Sequence, residues 1–535
     1  MTAPSNTEGY TASTPDSPDR NRQRNLVDDH NHGHNDGYNQ GHVTGGTELH
    51  PHHQAQSQRR LSRASSRRAS VVSPVNYDVP DDYANLEASN ISPVQNPDEE
   101  SITRHETLEQ VRSRDQDYLR EQKQQRREEP ESSENYYERE KGQEKGEQHA
   151  KRQQKVSRLA TELYTISYLI FFSLLGTLAR LGLQALTSSY PQSPIIFPSI
   201  WPNFAGCVVM GFLAEDRMLF RASDWGQQST TAPKPKKDDD DEETGGSVPA
   251  EKADIDPAAA KKAHLSLKKT IPLYIGLATG FCGSFTSFSS FIRDIFLALS
   301  NDLAAHDTTP VSRNGGYSFL ALLSVGITTI SLSLAGLFLG AHLAIAFSPL
   351  FTRFSLTLPY TFVSRILDRL AVLLGFGCWL GAVLLSIFPP DRHSIPNESE
   401  ERWRGSATFA LVFAPLGCLL RFYASAHLNG RLPSFPLGTF VVNMFGTAVL
   451  GMAWDLAHMP SLGGVVGCQV LQGVADGFCG CLTTVSTWVS ELAALRRRHA
   501  YVYGGVSVGG GLALLVVVMG SLRWTEGFGE VRCLH

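Results

Sequence analysis

Residues 280–291 read GFCGSFTSFSSF and residues 477–488 read GFCGCLTTVSTW, each in the middle of a long apolar stretch. A segment long enough to cross a bilayer, yet carrying two glycines and a run of hydroxyls at its centre, makes a poor uninterrupted helix. Irregular backbone at membrane depth persists only where protein or a water-filled path satisfies its polar groups. A break that occurs twice therefore predicts an ion or substrate site, and hence a transport protein.

Outward from these breaks the chain divides into two unlike parts, so its averages of 19% charged residues and net charge −5 say little about partners. Residues 1–157 are rich in Ser, Gln, Asn, His, Arg and Glu and read as a disordered tail, with too little apolar surface to offset chain entropy. From 159 to 522 the chain is a succession of apolar blocks of about twenty residues, the length of a spanning helix. The first block begins too late for a cleavable signal, which leaves the tail in the cytosol.

Nine candidate spans lie at 162–187, 199–220, 270–298, 317–347, 366–388, 407–428, 435–457, 463–494 and 500–522. Lys151, Arg152, Lys155 and Arg158 precede the first, and lysines including Lys234, Lys261, Lys268 and Lys269 fill the second connection. Positive loops face the cytosol, so the amino terminus is expected inside and, after an odd number of crossings, residues 523–535 outside. The eight cysteines fall mostly in apolar blocks and read as small buried hydrophobes rather than a disulfide framework.

Single residues show the repeat again. Gly176-x-x-x-Arg180 matches Gly417-x-x-x-Arg421, Asn203-x-x-Gly206 matches Asn443-x-x-Gly446, and Thr286 to Asp294 matches Thr483 to Glu491, at offsets of 241, 240 and 197 residues. The shorter last offset reflects an acidic, lysine-rich insertion at 226–269 in the first copy. The expected fold is an all-α polytopic membrane protein. It has two four-helix modules, 159–347 and 407–522, each with a broken third helix, joined by a linker helix at 366–388. An odd linker inverts the second module against the first.

At a break the last carbonyls lack an internal partner and form the negative end of a helix dipole. Two opposed breaks could hold a dehydrated cation, with Gly283, Thr286, Gly480 and Thr483 at the matching positions. Arg180 and Arg421, within apolar helices, are costly enough to need fixed partners and read as structural or vestibule residues. Asp294 and Glu491, one turn beyond the breaks, are expected near a pore mouth. In the tail, His30, His32, His34, His42, His50, His52 and His53 read as a solvated tract before a metal site. Arg59-Arg60-Leu61-Ser62 and Arg67-Arg68-Ala69-Ser70 match a basic-directed kinase at Ser62 and Ser70.

The two modules resemble the fluoride channel family, also called Fluc, CrcB or fluoride exporter, in its fused eukaryotic form. The resemblance rests on Gly-x-x-x-Arg in both copies, on Gly438-Thr439-Phe440-Val441-Val442-Asn443, and on Gly283-Ser284-Phe285-Thr286-Ser287-Phe288-Ser289-Ser290-Phe291. It implies a single-chain pseudo-dimer with a central sodium ion held by backbone carbonyls at the breaks, and fluoride paths flanked by phenylalanines. A small anion stripped of water needs replacement donors. The amides of Asn203 and Asn443 and the hydroxyls of Thr286, Ser287, Ser289, Ser290, Thr483, Thr484, Ser486, Thr487, Ser324 and Ser507 could supply them. The ring edges of Phe288 and Phe291 would add the positive side of the aromatic quadrupole.

Departures from that pattern matter. The second copy carries Val485 and Trp488 in place of the phenylalanines, and the first has Ser199-Ile200-Trp201-Pro202 where Gly-Thr would stand. One competent pathway is expected, lined by either Asn203 or Asn443. The leading function is a passive fluoride channel of the plasma membrane, neither an enzyme nor a nucleic-acid binder. The alternative is a proton- or ion-coupled secondary transporter. An intramembrane enzyme would need paired carboxylates or histidines at ligand spacing, and a scaffold would not need the repeated hydroxyls.

Overall fold

The computed structural model describes residues 77–86, 157–188, 195–225, 264–303, 313–388, 398–459 and 465–529. Among them the chain forms helices and turns and no β-strand. The histidine tract, Ser62, Ser70, most of the acidic insertion and residues 530–535 lie outside the described residues.

Helix α1 (Arg158–Ser188) opens the first copy and α2 (Ile200–Glu215) follows. The third segment is divided. Its first half, α3 at 272–285, passes through a wide π-helical stretch, Gly276–Cys282, before it stops. Thr286 and Ser287 are extended, and α4 (Phe288–Ser300) then resumes. Helix α5 (Gly315–Arg353) closes the copy, and α6 (Asp368–Ile387) is the linker. The second copy repeats the order as α7 (Glu398–Leu428), α8 (Leu437–His458), α9 at 465–482, α10 (Ser486–Ala494) and α11 (Arg497–Thr525). The π-helical stretch recurs before the second break, at Val474–Cys479.

Among the described residues, seven segments are long and apolar enough to cross a membrane: 158–187, 272–300, 315–353, 360–387, 407–428, 437–458 and 497–525. Of the other two expected spans, α2 is a shorter apolar helix of 16 residues and 465–494 is divided at its break.

The packing follows the repeat. Helix α1 lies against α3 and α7 against α9, while α5 lies along α2 and α11 along α8. The copies interlock because α11 also packs on α4 and α5 on α10, with α1 against α7 at the seam and α6 against α1. Large apolar side chains such as Phe319, Leu373 and Val517 are exposed on the outside, while Asn, Ser, Thr and two arginines are buried within. Apolar outside and polar inside is the distribution a bilayer solvent selects.

Three findings depart from the sequence reading. Residues 77–86, placed in a disordered tail, are ordered. Tyr77, Tyr83 and Leu86 are buried against the helical body, so three large apolar side chains anchor a stretch whose average composition is polar. The end of the insertion belongs to the fold as well. Lys268 Nζ donates to the carbonyls of Leu213 (3.1 Å), Ala214 (3.4 Å) and Asp216, satisfying carbonyls that the end of α2 leaves orphaned. Finally, Cys468 is disulfide-bonded, whereas Cys207, Cys282, Cys418, Cys479 and Cys481 are the expected buried free thiols.

Candidate functional site

The break is made by an asparagine. After Thr286 N–H donates to Cys282 O (3.1 Å), the next amide, Ser287 N–H, leaves the helix and donates to Asn203 Oδ1 (2.8 Å). Asn203 Nδ2 in turn donates to Ser287 O (3.5 Å). The second copy repeats this: Thr484 N–H donates to Asn443 Oδ1 (2.9 Å), and Asn443 Nδ2 donates to Thr484 O (3.3 Å). A primary amide thus pairs with the backbone as a second peptide strand would, and diverts the i to i−4 bond that would have continued the helix. The sequence reading assigned these amides to an anion. In the structure Oδ1 and one Nδ2 proton of each hold the backbone, which leaves the second Nδ2 proton for other work.

The helices that resume are started by the opposite copy. Thr483 Oγ1 accepts from Ser289 N–H (3.1 Å) at the start of α4, and Thr286 Oγ1 accepts from Ser486 N–H (3.1 Å) and Val485 N–H (3.2 Å) at the start of α10. Each threonine also donates to a carbonyl of its own copy, Cys282 O or Cys479 O. Each helix start therefore takes part of its amino-terminal capping from the other copy, although α4 also has its own cap, Ser287 Oγ, which accepts from Ser290 N–H (3.3 Å). Ser287, Ser289 and Ser290 join Thr483 in one hydroxyl cluster, and Thr484 and Ser486 join Thr286 in another. Thr487 takes part through its amide, which donates to Thr484 Oγ1 (3.4 Å).

The Gly-x-x-x-Arg motif acquires a physical meaning. Gly176 and Gly417 allow α1 and α7 to approach the backbone of Phe281 and Phe478 in their own broken helix. One turn on, the arginines reach across. Arg421 Nη2 donates to Thr279 O (2.8 Å) of the first copy, with Nε on Cys481 O (2.8 Å), and Arg180 Nη2 donates to Asp476 O of the second. Their guanidiniums lie against Gly283 and Gly480, and both are buried, at 2% and 1% exposed. They are fixed in the seam rather than snorkelling. Thr279 and Asp476 occupy equivalent places, so Arg180 has a carboxylate as an electrostatic neighbour where Arg421 has a hydroxyl.

The acids are tied down too. Ser199 Oγ donates to Asp294, Thr439 Oγ1 donates to Glu491 Oε1 (2.8 Å), and Tyr503 OH donates to Glu491 Oε2 (2.6 Å). Both carboxylates are buried against the residue one turn before the break-forming asparagine. Ser199 supplies in the first copy the hydroxyl that Thr439 supplies in the second, so the departure noted in the sequence preserves the contact.

Phe288 and Phe291 are fully buried and meet edge to face at 5.9 Å, and Phe288 meets Trp488 at 5.3 Å. The second copy therefore keeps one aromatic ring, Trp488 in place of the second phenylalanine, and has Val485 in place of the first. Trp488 Nε1 is buried without a hydrogen-bond partner. Of the two serines placed in the last helices, Ser507 is buried and Ser324 lies on an exposed face. Helix α5 instead buries Ser318 near its start and Thr329 and Ser333 closer to Leu337, which packs on Gly211 as Leu515 packs on Gly451. Helical phase about that contact was the signal for them, and it needs the packing partner to be known.

Backbone oxygens at the breaks suit a hard monovalent cation. The amides four residues on from Gly283 and Gly480 are taken by Asn203 and Asn443, which releases both glycine carbonyls, and Thr286 and Thr483 lie in extended backbone beyond them. The two guanidiniums share this negative end of the paired helices.

The profile of the family described as "CrcB-like protein, Camphor Resistance (CrcB)" matches residues 167–341 and 408–521. A protein of Neurospora crassa named Fluoride export protein 1 is 80% identical over the whole of both chains. One of the same name from Candida albicans is 34% identical over 66% of this chain and 78% of its own. The Fluoride-specific ion channel FluC of Pseudomonas paraeruginosa is 34% identical over 23% of this chain and 98% of its own, the size of one copy. No solved structure matches.

Proposed function

The chain belongs to the CrcB family, and on that footing we propose that it is a passive fluoride-selective channel that lets cytosolic fluoride leave across the plasma membrane. One observation carries the reading: two helix starts, each capped by the opposite copy's threonine, converge where hydroxyls and aromatic edges gather. Helix amino termini and hydroxyl donors favour an anion without supplying a fixed charge that would trap it. The relatives' names support fluoride as that anion. The two CrcB copies function as an inverted pseudo-dimer within one chain, and a negative-inside voltage drives the anion outward.

Cytosolic placement of the amino terminus follows from the basic residues before α1. The Cys468 disulfide, at the opposite end of the fold by that topology, suits an oxidising compartment. The carbonyls of Gly283, Thr286, Gly480 and Thr483 would hold a central sodium ion, which when bound would offset the facing helix ends and strengthen the field seen by an anion. Replacing sodium by a bulky organic cation on both sides of liposomes is expected to lower fluoride efflux and the melting temperature together; an unchanged pair of values would remove the ion from the site.

The assignment of the path is tested by fluoride-electrode efflux from liposomes. Phe288→Ile and Phe291→Ile are expected to slow efflux by at least ~10-fold. Asn203→Asp and Asn443→Asp are expected to stop it, because a carboxylate keeps the amide contact but sets its second oxygen against the carbonyl of Ser287 or Thr484 and adds a charge in low dielectric. Four variants with wild-type efflux would overturn the path. The buried carboxylates Asp294 and Glu491 favour a second reading, a proton-coupled exchanger. Efflux that persists with no proton gradient decides against it.

A further inference from the structure

The segment Tyr77–Leu86 lies across the seam between the copies, on the side of the body where α1 begins and α7 ends. Tyr77 OH donates to Asp368 Oδ2 (2.9 Å) at the start of α6, whose Oδ1 accepts from Tyr168 OH (3.0 Å) of α1. The Tyr77 ring meets Tyr360 edge-on at 5.6 Å and Trp225 at 6.1 Å. At its other end the segment reaches α7. Tyr83 meets Phe422 edge-on at 5.3 Å, Asn85 Nδ2 donates to Ala426 O (2.9 Å), and Asp82 pairs with His427 at the surface. Between them Lys269 Nζ donates to Ala84 O (3.1 Å).

We propose that Tyr77–Leu86 is a built-in latch: it closes over the seam, joins the first copy and the linker to the second, and holds α7 where Arg421 can support the break. The coupling path is short. Tyr83 packs on Phe422, and the adjacent Arg421 bonds Thr279 O and Cys481 O on either side of the seam. The catch is the Tyr77 phenol, one of two neutral donors to a buried carboxylate. Burial, and then the Asp368 charge, push its pKa upward, so it stays a donor throughout the physiological range. A negative charge at position 77 would face Asp368 across hydrogen-bond distance and open the latch. The transport half of this inference rests on the fluoride reading above; the docking half does not.

The test compares the full chain with truncation of residues 1–71, truncation of residues 1–87, Tyr83→Ala and Tyr77→Glu, all in liposomes. Hydrogen exchange of the 77–86 amides is read beside fluoride efflux. Truncation to residue 72 is expected to leave both unchanged. Tyr77→Glu and Tyr83→Ala should speed exchange of the segment by about 100-fold, and these two and the longer truncation should slow efflux several-fold. A synthetic peptide of residues 75–88 should restore efflux to the longer truncation. Unprotected 77–86 amides in the full chain would overturn docking, and equal efflux from the two truncations would overturn the coupling. Protected amides in a chain that passes no fluoride would instead strike at the transport reading alone.

Discussion

Thr286→Val is expected to abolish fluoride efflux and to leave little folded protein, and Thr483→Val to do the same from the opposite copy. Valine keeps the shape and removes one oxygen. At Thr286 that oxygen accepts from Val485 N–H and Ser486 N–H and donates to Cys282 O; at Thr483 it accepts from Ser289 N–H and donates to Cys479 O. All of these groups are buried, and each donor left without a partner costs about 1–3 kcal/mol. Losing two at once removes a large part of the stability of an ordinary domain. Thr286→Ser, which retains the hydroxyl, should keep most of the efflux. Thermal melting in detergent with efflux from liposomes makes the comparison. Valine variants that melt and conduct like the parent would show that the reciprocal caps do not hold the junction. A cycle of Thr286→Val with Ser486→Ala should also be strongly non-additive, because the two hydroxyls share one contact of 3.1 Å.

Gly283→Ala and Gly480→Ala should be nearly as severe, for a steric reason. A Cβ at Gly283 would overlap the Arg421 guanidinium, and one at Gly480 would overlap that of Arg180. These guanidiniums cannot swing away freely, since both are buried, Arg421 bonded to the carbonyls of Thr279 and Cys481 and Arg180 to that of Asp476. Moving one strands a buried charge, which costs several kcal/mol. Trimming the arginine with the alanine in place, as Gly283→Ala with Arg421→Lys, relieves overlap but not charge pairing, so only partial recovery of melting temperature is expected. Wild-type efflux from Gly283→Ala alone would mean that the arginine is not seated against the break. The contrasting positions are Gly377 and Gly505, where a Cβ meets nothing; alanine there should leave efflux unchanged.

Much of this was legible in the chain because the chemistry is duplicated. A glycine, a threonine and a row of hydroxyls at equal spacing in two apolar stretches identify a break, and the matching Gly-x-x-x-Arg and Asn-x-x-Gly motifs identify its supports. The roles of those supports were less legible. Asn203 and Asn443 read as anion donors because a buried amide in a membrane helix has few other uses; that their partner is the backbone of the break depends on α2 lying beside α3, and α8 beside α9. Trp488 read as a lost phenylalanine, although its ring meets Phe288 from the other copy. Ser324 and Ser507 looked equivalent by order along the chain, yet only one faces inward, since helical phase is set by the neighbour a helix packs against.

The sequence alone determined the all-helical membrane character and the two copies, because these follow from run length, hydropathy and the repeated motifs. Tertiary structure decided who caps whom. Thr286 and Thr483, Arg180 and Arg421, and the docking of Tyr77 all act on residues far away in the chain, and no local rule relates a hydroxyl to an amide some two hundred residues distant. Those contacts exist because the two copies meet face to face, where a buried donor left over in one copy can find its acceptor across the seam.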